Sequence, residues 1–291
     1  MTLAGCKSLA LNMVSNAVAS SGGGGSYASD DDPQLVAQAA PFGLKTMEGL
    51  LERNPRHDGL LGALASGFTQ YGYAFVQADA DQADLDGKLD AARAGRDRAR
   101  KLFLRARGYG LRGLEVRHKG LEAALLAGGN LTPALARCEK RDVPLLYWTA
   151  SAWALAISDG KADMALVAQL PVAVAMLERA LALDEAWGEG AIHEVFISLD
   201  ASRGAADGGG PEKARQHMQR ALELSHAEKL GPKVSFAEGI LVQAQDRAQF
   251  QQLLQEVVQA DAEAFPRYRL PNVLAQRRAR ALLAHVDDLF L

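Results

Sequence analysis

The sequence predicts an all-α protein of repeated helix-turn-helix units stacked into an α-solenoid. Three observations carry this. Ala and Leu, the strongest helix formers, supply about a third of the chain. Apolar residues recur at helical spacing in segment after segment, while the period-two alternation of strands is absent. A small–large–small pattern of side chains returns in several of the helices.

The elements follow in order. Residues 1–29 read as a tail containing the Gly/Ser segment Ser20–Ser26, and residues 30–291 as the helical domain. Asp30-Asp31-Asp32-Pro33 is a helix start. Asp32 can cap free N–H groups, and Pro33 suits the first helical position, where its missing N–H costs nothing. Leu35, Val36, Ala39, Phe42, Leu44, Met47, Leu50 and Leu51 keep helical spacing, with an irregularity expected at Pro41-Phe42-Gly43. Asn54-Pro55 breaks the chain, and Leu60, Leu61, Leu64, Ala65, Phe68 and Tyr71 mark a second helix. Another is expected from Leu85 to Leu114 or beyond. Gly128-Gly129-Asn130 is a turn, Thr132-Pro133 starts a short helix, and Val143-Pro144 opens one that Asp159-Gly160 ends. Further helices are expected at 162–182, 187–202, 212–228, 233–244, 246–263 and 270–287.

The repeat lies inside these helices. Arg179-Ala180-Leu181-Ala182-Leu183 matches Arg220-Ala221-Leu222-Glu223-Leu224 one repeat later. Upstream, the spacing Ala173–Leu177–Ala180 returns as Ala214–Met218–Ala221, and earlier as Ala99–Phe103–Ala106. This is the spacing of the second helix of a tetratricopeptide (TPR) type repeat. Two small residues let a neighbouring helix approach, and the large one fills the gap between them. First-helix partners are Leu61–Leu64–Ala65–Phe68 and, more loosely, Trp148–Ser151–Ala152–Leu155 and Trp187–Gly190–Ala191–Glu194.

Composition excludes several functions. A net charge of −3 argues against general nucleic-acid or anionic-membrane binding. No apolar run nears the roughly 18 residues of a membrane-spanning helix. Two cysteines, Cys6 and Cys138, cannot build a disulfide framework. Walker, HExxH, CxxC and GxSxG motifs are absent, so no enzyme activity, cofactor or metal is expected. His193-Glu194 and His217 sit on adjacent predicted helices as a His–Glu–His set, for which a structural role is the stronger reading. The Arg-rich stretch Arg93–Lys119 reads as a solvated helix face with acidic neighbours, a nucleic-acid groove being the alternative. Cys138 reads as a small buried hydrophobe without a His-Asn/Asp context. Tyr147, Trp148, Trp153 and Trp187 are either core or the aromatic wall of a ligand cleft, with Tyr71, Tyr73 and Phe75 a second cluster.

The opening residues carry one more motif. Leu3-Ala4-Gly5-Cys6 has the form of a bacterial lipobox, whose Cys thiol takes a diacylglyceryl group. Only Met1-Thr2 precede it, where a lipoprotein signal has a positive n-region and an apolar h-region. A wider likeness supports the motif. Asp30-Asp31-Asp32-Pro33-Gln34-Leu35-Val36, Pro41–Thr46, Gly67–Phe75, Leu104–Leu111, Pro144–Trp148 with Trp153-Ala154, Gly190–His193, Pro211–Arg215 and Asn272–Phe290 resemble, in order, the TatT family. These are TPR-like lipoproteins associated with tripartite ATP-independent periplasmic (TRAP) transporters. The missing signal segment bears on the translation start more than on the likeness.

The resemblance implies a non-catalytic chain lipid-anchored through Cys6 on the periplasmic side of the envelope, touching the membrane only there. It implies a homotrimer that binds the transporter's substrate-binding (P component) protein and a small hydrophobic or organic-acid ligand. Tyr71, Tyr147, Trp148, Trp153, Trp187 and His193 are the candidates for lining its cleft. The alternative is a general TPR scaffold of the envelope without a transport ligand. A hydrolase or metalloenzyme returns only if His193 and His217 converge with a carboxylate in a pocket.

Overall fold

A computed structural model describes residues 25–291, with side chains from Tyr27 onward; Cys6 and most of the Gly/Ser segment lie outside them. Among the described residues every regular element is helical. The chain divides into two compact units. The first holds Gln34–Asp84 and Lys88–Asp184; the second holds Glu185–Leu291 with Ser26–Pro33 and Leu85–Gly87.

In the first unit, α1 (Pro33–Arg53) starts at Pro33 as expected but runs straight through Pro41. Proline removes one helical hydrogen bond. The buried stripe Val36, Leu44, Met47 and Leu51 holds the helix together across it. His57 caps α2 (Asp58–Tyr71), its Nδ1 accepting from Leu60 N at 3.1 Å. A π-helical turn, Gly72–Gln77, carries the chain into α3 (Ala78–Leu85). The next helix, α4 (Leu89–Arg117), begins later than the sequence suggests, because Gly87 turns the chain with φ of +74°.

Helices α2 and α4 are antiparallel. Arg117 pairs with Asp58 at one end, Phe68 stacks on Tyr109 in the middle, and Arg98 donates to Tyr71 Oη at the other. After the short α5 (Leu121–Ala127), α6 (Val143–Ser158) returns against α4, again antiparallel. Arg117 meets Asp142 at one end of that contact and Arg100 packs beside Gly160 at the other. Then α7 (Leu170–Leu183) folds back on α6.

The 20-residue stretch Met164–Leu183 is apolar and long enough to cross a membrane by length and composition, which corrects the expectation that no such run exists. It is two pieces, Met164–Val167 and Leu170–Leu183, with Pro171 near the start of the second. Val172, Ala173, Met176, Leu177 and Ala180 of the second piece are buried in the first unit.

The second unit repeats the scheme. α8 (Ala191–Ser202) and α9 (Pro211–Leu224) are antiparallel, with Gly190 against Ala221 and His193 against His217. Gly190 has φ of +87°, and a Cβ there would lie 2.9 Å from Ala221 backbone. That double constraint ends the turn, so Trp187 and Gly190 precede the helix expected to contain them. Next, α10 (Gly231–Phe236) runs into the π-helical turn Ala237–Leu241. It lies parallel to α8, with Glu194 beside Gly231 and Ala201 beside Gly239. Asp246 caps α11 (Arg247–Gln259), and α12 (Arg269–Ala284) closes the unit. Each unit is thus made of successive helical hairpins.

All three small–large–small sets face inward. Ala99, Phe103 and Ala106 on α4 are wholly buried, as are Ala173, Leu177 and Ala180 on α7. Ala214 and Ala221 on α9 are buried with Met218 packed beside them. Phe250, Leu254 and Val257 hold the same spacing on α11, enlarged where α12 covers it.

The closeness of α4 and α6 makes opposite predictions for neighbouring glycines. A Cβ at Gly110 would lie 2.9 Å from Thr149 Cβ, so Gly110→Ala should cost about 1–3 kcal/mol in urea unfolding. Gly108 has open space, so Gly108→Ala should stabilise α4 by about 0.5–1 kcal/mol in the same measurement.

Candidate functional site

The six aromatic and histidine candidates fall in both units. Tyr71, half-buried at the end of α2, tilts against Phe75 at 6.0 Å. Tyr147 and Trp148 meet edge-on at 4.8 Å; Tyr147 is buried and Trp148 half-buried. Trp153 is fully buried. On a helix of about 100° per residue, these three point in different directions from α6 and form no single wall. Trp187 and His193 belong to the second unit, Trp187 half-buried in the turn before α8.

The Arg-rich helix α4 is neutralised in part by acidic neighbours. Arg96 pairs with Asp81 and Asp84, Arg105 with Glu48, and Arg117 with Asp58 and Asp142. Glu48 is also held by Lys45 and Tyr109, and these contacts keep its carboxyl below the usual range despite burial.

Arg107 differs. Its guanidinium lies 4.7 Å over the Trp153 ring, and Nη1 donates to Gln169 Oε1 at 3.1 Å. Trp153 Nε1 donates to the same oxygen at 2.9 Å. Nε is buried without a partner, and among the described residues no carboxylate pairs with Arg107. Burial lowers its pKa, with no charge opposing the shift. Sequence reasoning grouped Arg107 with the solvated face. Yet it stands four residues after Phe103 and three before Gly110, beside the buried stripe. Ser151 Oγ on α6, Arg100 Nε on α4 and Asp159 Oδ2 are further buried atoms without partners in this unit.

Asp159, just past α6, has its carboxyl pushed up to about 7, first by burial and then by Asp81.

In the second unit His193 and His217 do converge. Their Nδ1 atoms lie 2.7 Å apart, and Phe196 stacks on His217 at 4.9 Å. The flanking carboxylates are not Glu194 but Glu185, 3.3 Å from His193 Nε2, and Asp200, 3.5 Å from His217 Nε2. Glu194 instead sits beside Gly231, where only glycine leaves room for its carboxylate. Burial raises the Glu194 pKa. The Nδ1–Nδ1 contact is the hydrogen bond among these four groups, and each carboxylate faces an outer ring nitrogen at a longer distance. Burial lowers both imidazole pKa values, so each ring is neutral at pH 7 and carries one proton. An Nδ1-to-Nδ1 hydrogen bond then requires one ring to donate and the other to accept. Glu185 is already bound by Arg220 through both oxygens, whereas Asp200 Oδ2 has no other partner.

Cys138 is buried as expected, but it does have a His/Asp context. His118 and Asp142 lie beside it, brought together from the end of α4 and the start of α6. Burial, reinforced by Asp142, pushes the Cys138 thiol up to about 11.

Two measurements check these assignments. Nitrogen-15 shifts should show His193 as the Nδ1–H tautomer and His217 as the Nε2–H tautomer. Asp159 has a folded pKa above its unfolded one, so its stabilising protonated form is lost as pH rises from about 4 through 7. Asp159→Asn should therefore raise the melting temperature at pH 8 and leave it nearly unchanged at pH 3.

Residues 29–290 match the family described as TRAP transporter T-component. A protein of Treponema pallidum (strain Nichols), named only as uncharacterized, is 34% identical over 267 residues. That alignment spans 91% of this chain and 82% of the relative. With a match along nearly the whole helical region, the chain belongs to the TRAP transporter T-component family.

Proposed function

We propose that the chain is a non-catalytic accessory of a TRAP transporter, acting on the periplasmic side of the envelope. In this reading Cys6 carries the lipid anchor, and the mature protein is a homotrimer. It binds the substrate-binding P component and holds a small hydrophobic or organic-acid ligand. The match along residues 29–290 is the observation that carries the reading. The stacked hairpins support it, because they hold side chains on rigid helices where a partner can meet them.

Arg107 supports the acidic form of the ligand. A half-buried guanidinium without a counter-charge is costly, and an anion would offset that cost. Trp153 and Gln169 already fix the plane of the group. Buried polar atoms of Ser151 and Arg100 are further hydrogen-bonding groups on the same helices.

The test is co-purification from cells expressing this chain with its neighbouring P component. The P component should be captured, and Cys6→Ser should move the chain from the membrane to the soluble fraction without loss of capture. Small acids extracted from the purified protein should fall at least tenfold with Arg107→Gln, a change of about 1.4 kcal/mol. Failure to capture the P component would sink the transport reading and leave the envelope scaffold in its place.

A further inference from the structure

We propose that His118, Cys138 and Asp142 form a binding site for a thiophilic divalent transition-metal ion, of which zinc is the type. The inference does not depend on the transport reading. One donor atom from each residue lies within 4.8 Å of the other two, and all three side chains are buried. Imidazole nitrogen, thiolate sulfur and carboxylate oxygen together suit zinc or cobalt, whereas magnesium and calcium demand oxygen.

The geometry is near what such an ion requires. Zinc bonds of about 2.0–2.3 Å place tetrahedral ligands roughly 3.3–3.7 Å apart. The widest pair must therefore close by about 1 Å, and the 2.7 Å contact of His118 Nε2 with Asp142 Oδ2 must open slightly. The frame around the donors is fixed. Arg117 Nη1 donates to Asp142 Oδ1 at 3.1 Å, which orients the carboxylate and leaves its second oxygen toward His118. Asp58 offsets the charge of Arg117. Arg179 Nη2 donates to Cys138 O at 2.6 Å and to Ala136 O at 3.3 Å, pinning the turn that carries the sulfur. Outer contacts of this kind commonly orient metal ligands.

The proton balance is simple. The thiol proton leaves as sulfur binds the ion, and the proton that His118 Nε2 donates to Asp142 Oδ2 gives way to one on Nδ1, a change of tautomer that frees Nε2 to ligate. One proton is released per ion bound. Three protein ligands leave a fourth position for water.

The full-length chain, stripped of metal with a chelator, should be titrated with Co2+. We expect a near-ultraviolet thiolate-to-cobalt charge-transfer band with the visible bands of tetrahedral cobalt, saturating at one ion per chain and erased by Zn2+. The band should survive Cys6→Ser, the other thiol, and vanish with Cys138→Ser. His118→Gln should weaken binding at least about tenfold. Circular dichroism establishes that each variant is folded. If Cys138→Ser unfolds, alkylation of the Cys6→Ser protein replaces it, with Zn2+ expected to protect Cys138. Absence of the band, its persistence in folded Cys138→Ser, its loss in Cys6→Ser, or alkylation unaffected by Zn2+ overturns the proposal.

Discussion

Helix α4 lies against two neighbours at once, and the rest of the first unit depends on how closely they approach. Ala106, Gly110 and Gly113 present almost no side chain, so Thr149 and Leu145 of α6 come into contact with its backbone. Phe103 fills the gap between Ala99 and Ala106 and reaches Gly72 at the π-helical turn. The apolar area removed from water is large because the helices are near, and each buried Leu or Phe is worth about 1.5–3 kcal/mol. Larger residues at the small positions would widen the separation and leave Phe103 and its neighbours poorly packed. The same arithmetic runs through α7 and α9.

Close approach also forces the treatment of charge. Arginines spaced along α4 cannot all reach water when the helix is covered on two sides. Arg96, Arg105 and Arg117 find carboxylates on α1, α2 and α3, or at the head of α6. Exposed pairs of this type contribute little stability. Their larger effect is to fix which face of α4 turns outward. Arg107 falls on the boundary of the buried stripe and has only an aromatic face and a neutral amide for company. A half-buried charge without a counter-charge breaks the local rule at Arg107, and such breaks gather at functional sites.

The sequence was legible where the governing interaction is local. The Ala–Phe–Ala and Ala–Leu–Ala spacings are read along one helix, and they identified the inward face of α4, α7 and α9. Pro33 and Gly128 act on their immediate neighbours and marked ends correctly. Pro41 did not break α1, because contacts made elsewhere in the unit compensate for one lost hydrogen bond. Trp187 was placed on a helix because its spacing fits one, but Gly188 and Gly190, both with positive φ, keep the chain in a turn. The aromatic candidates were chosen by type, and type does not tell a fully buried Trp153 from a half-buried Trp148. Cys138 looked isolated for a further reason. His118 is twenty residues upstream, and only the antiparallel return of α6 along α4 brings the two together.

That last case has a general physical basis. A hairpin of two helices places the C-terminus of one beside the N-terminus of the next, where free carbonyls and free N–H groups already need partners. Polar side chains gather there at little extra cost, since the local field is not that of a hydrocarbon core. His118 closes α4 and Asp142 opens α6, with Glu139 N donating to Asp142 Oδ2 at 2.9 Å. Burying the carboxylate there is offset by this backbone donor, by His118 and by Arg117, which together hold its pKa down against desolvation. The His193–His217 pair does not sit at such a corner. His193 and His217 meet between α8 and α9, and the carboxylates beside them are bound by Arg220 and Arg203. Hairpin corners can therefore hold ligand-type side chains at smaller cost, because a backbone donor shares the neutralisation with a counter-charge such as Arg117. New chemistry in a helical-repeat protein has its lowest physical barrier at those corners.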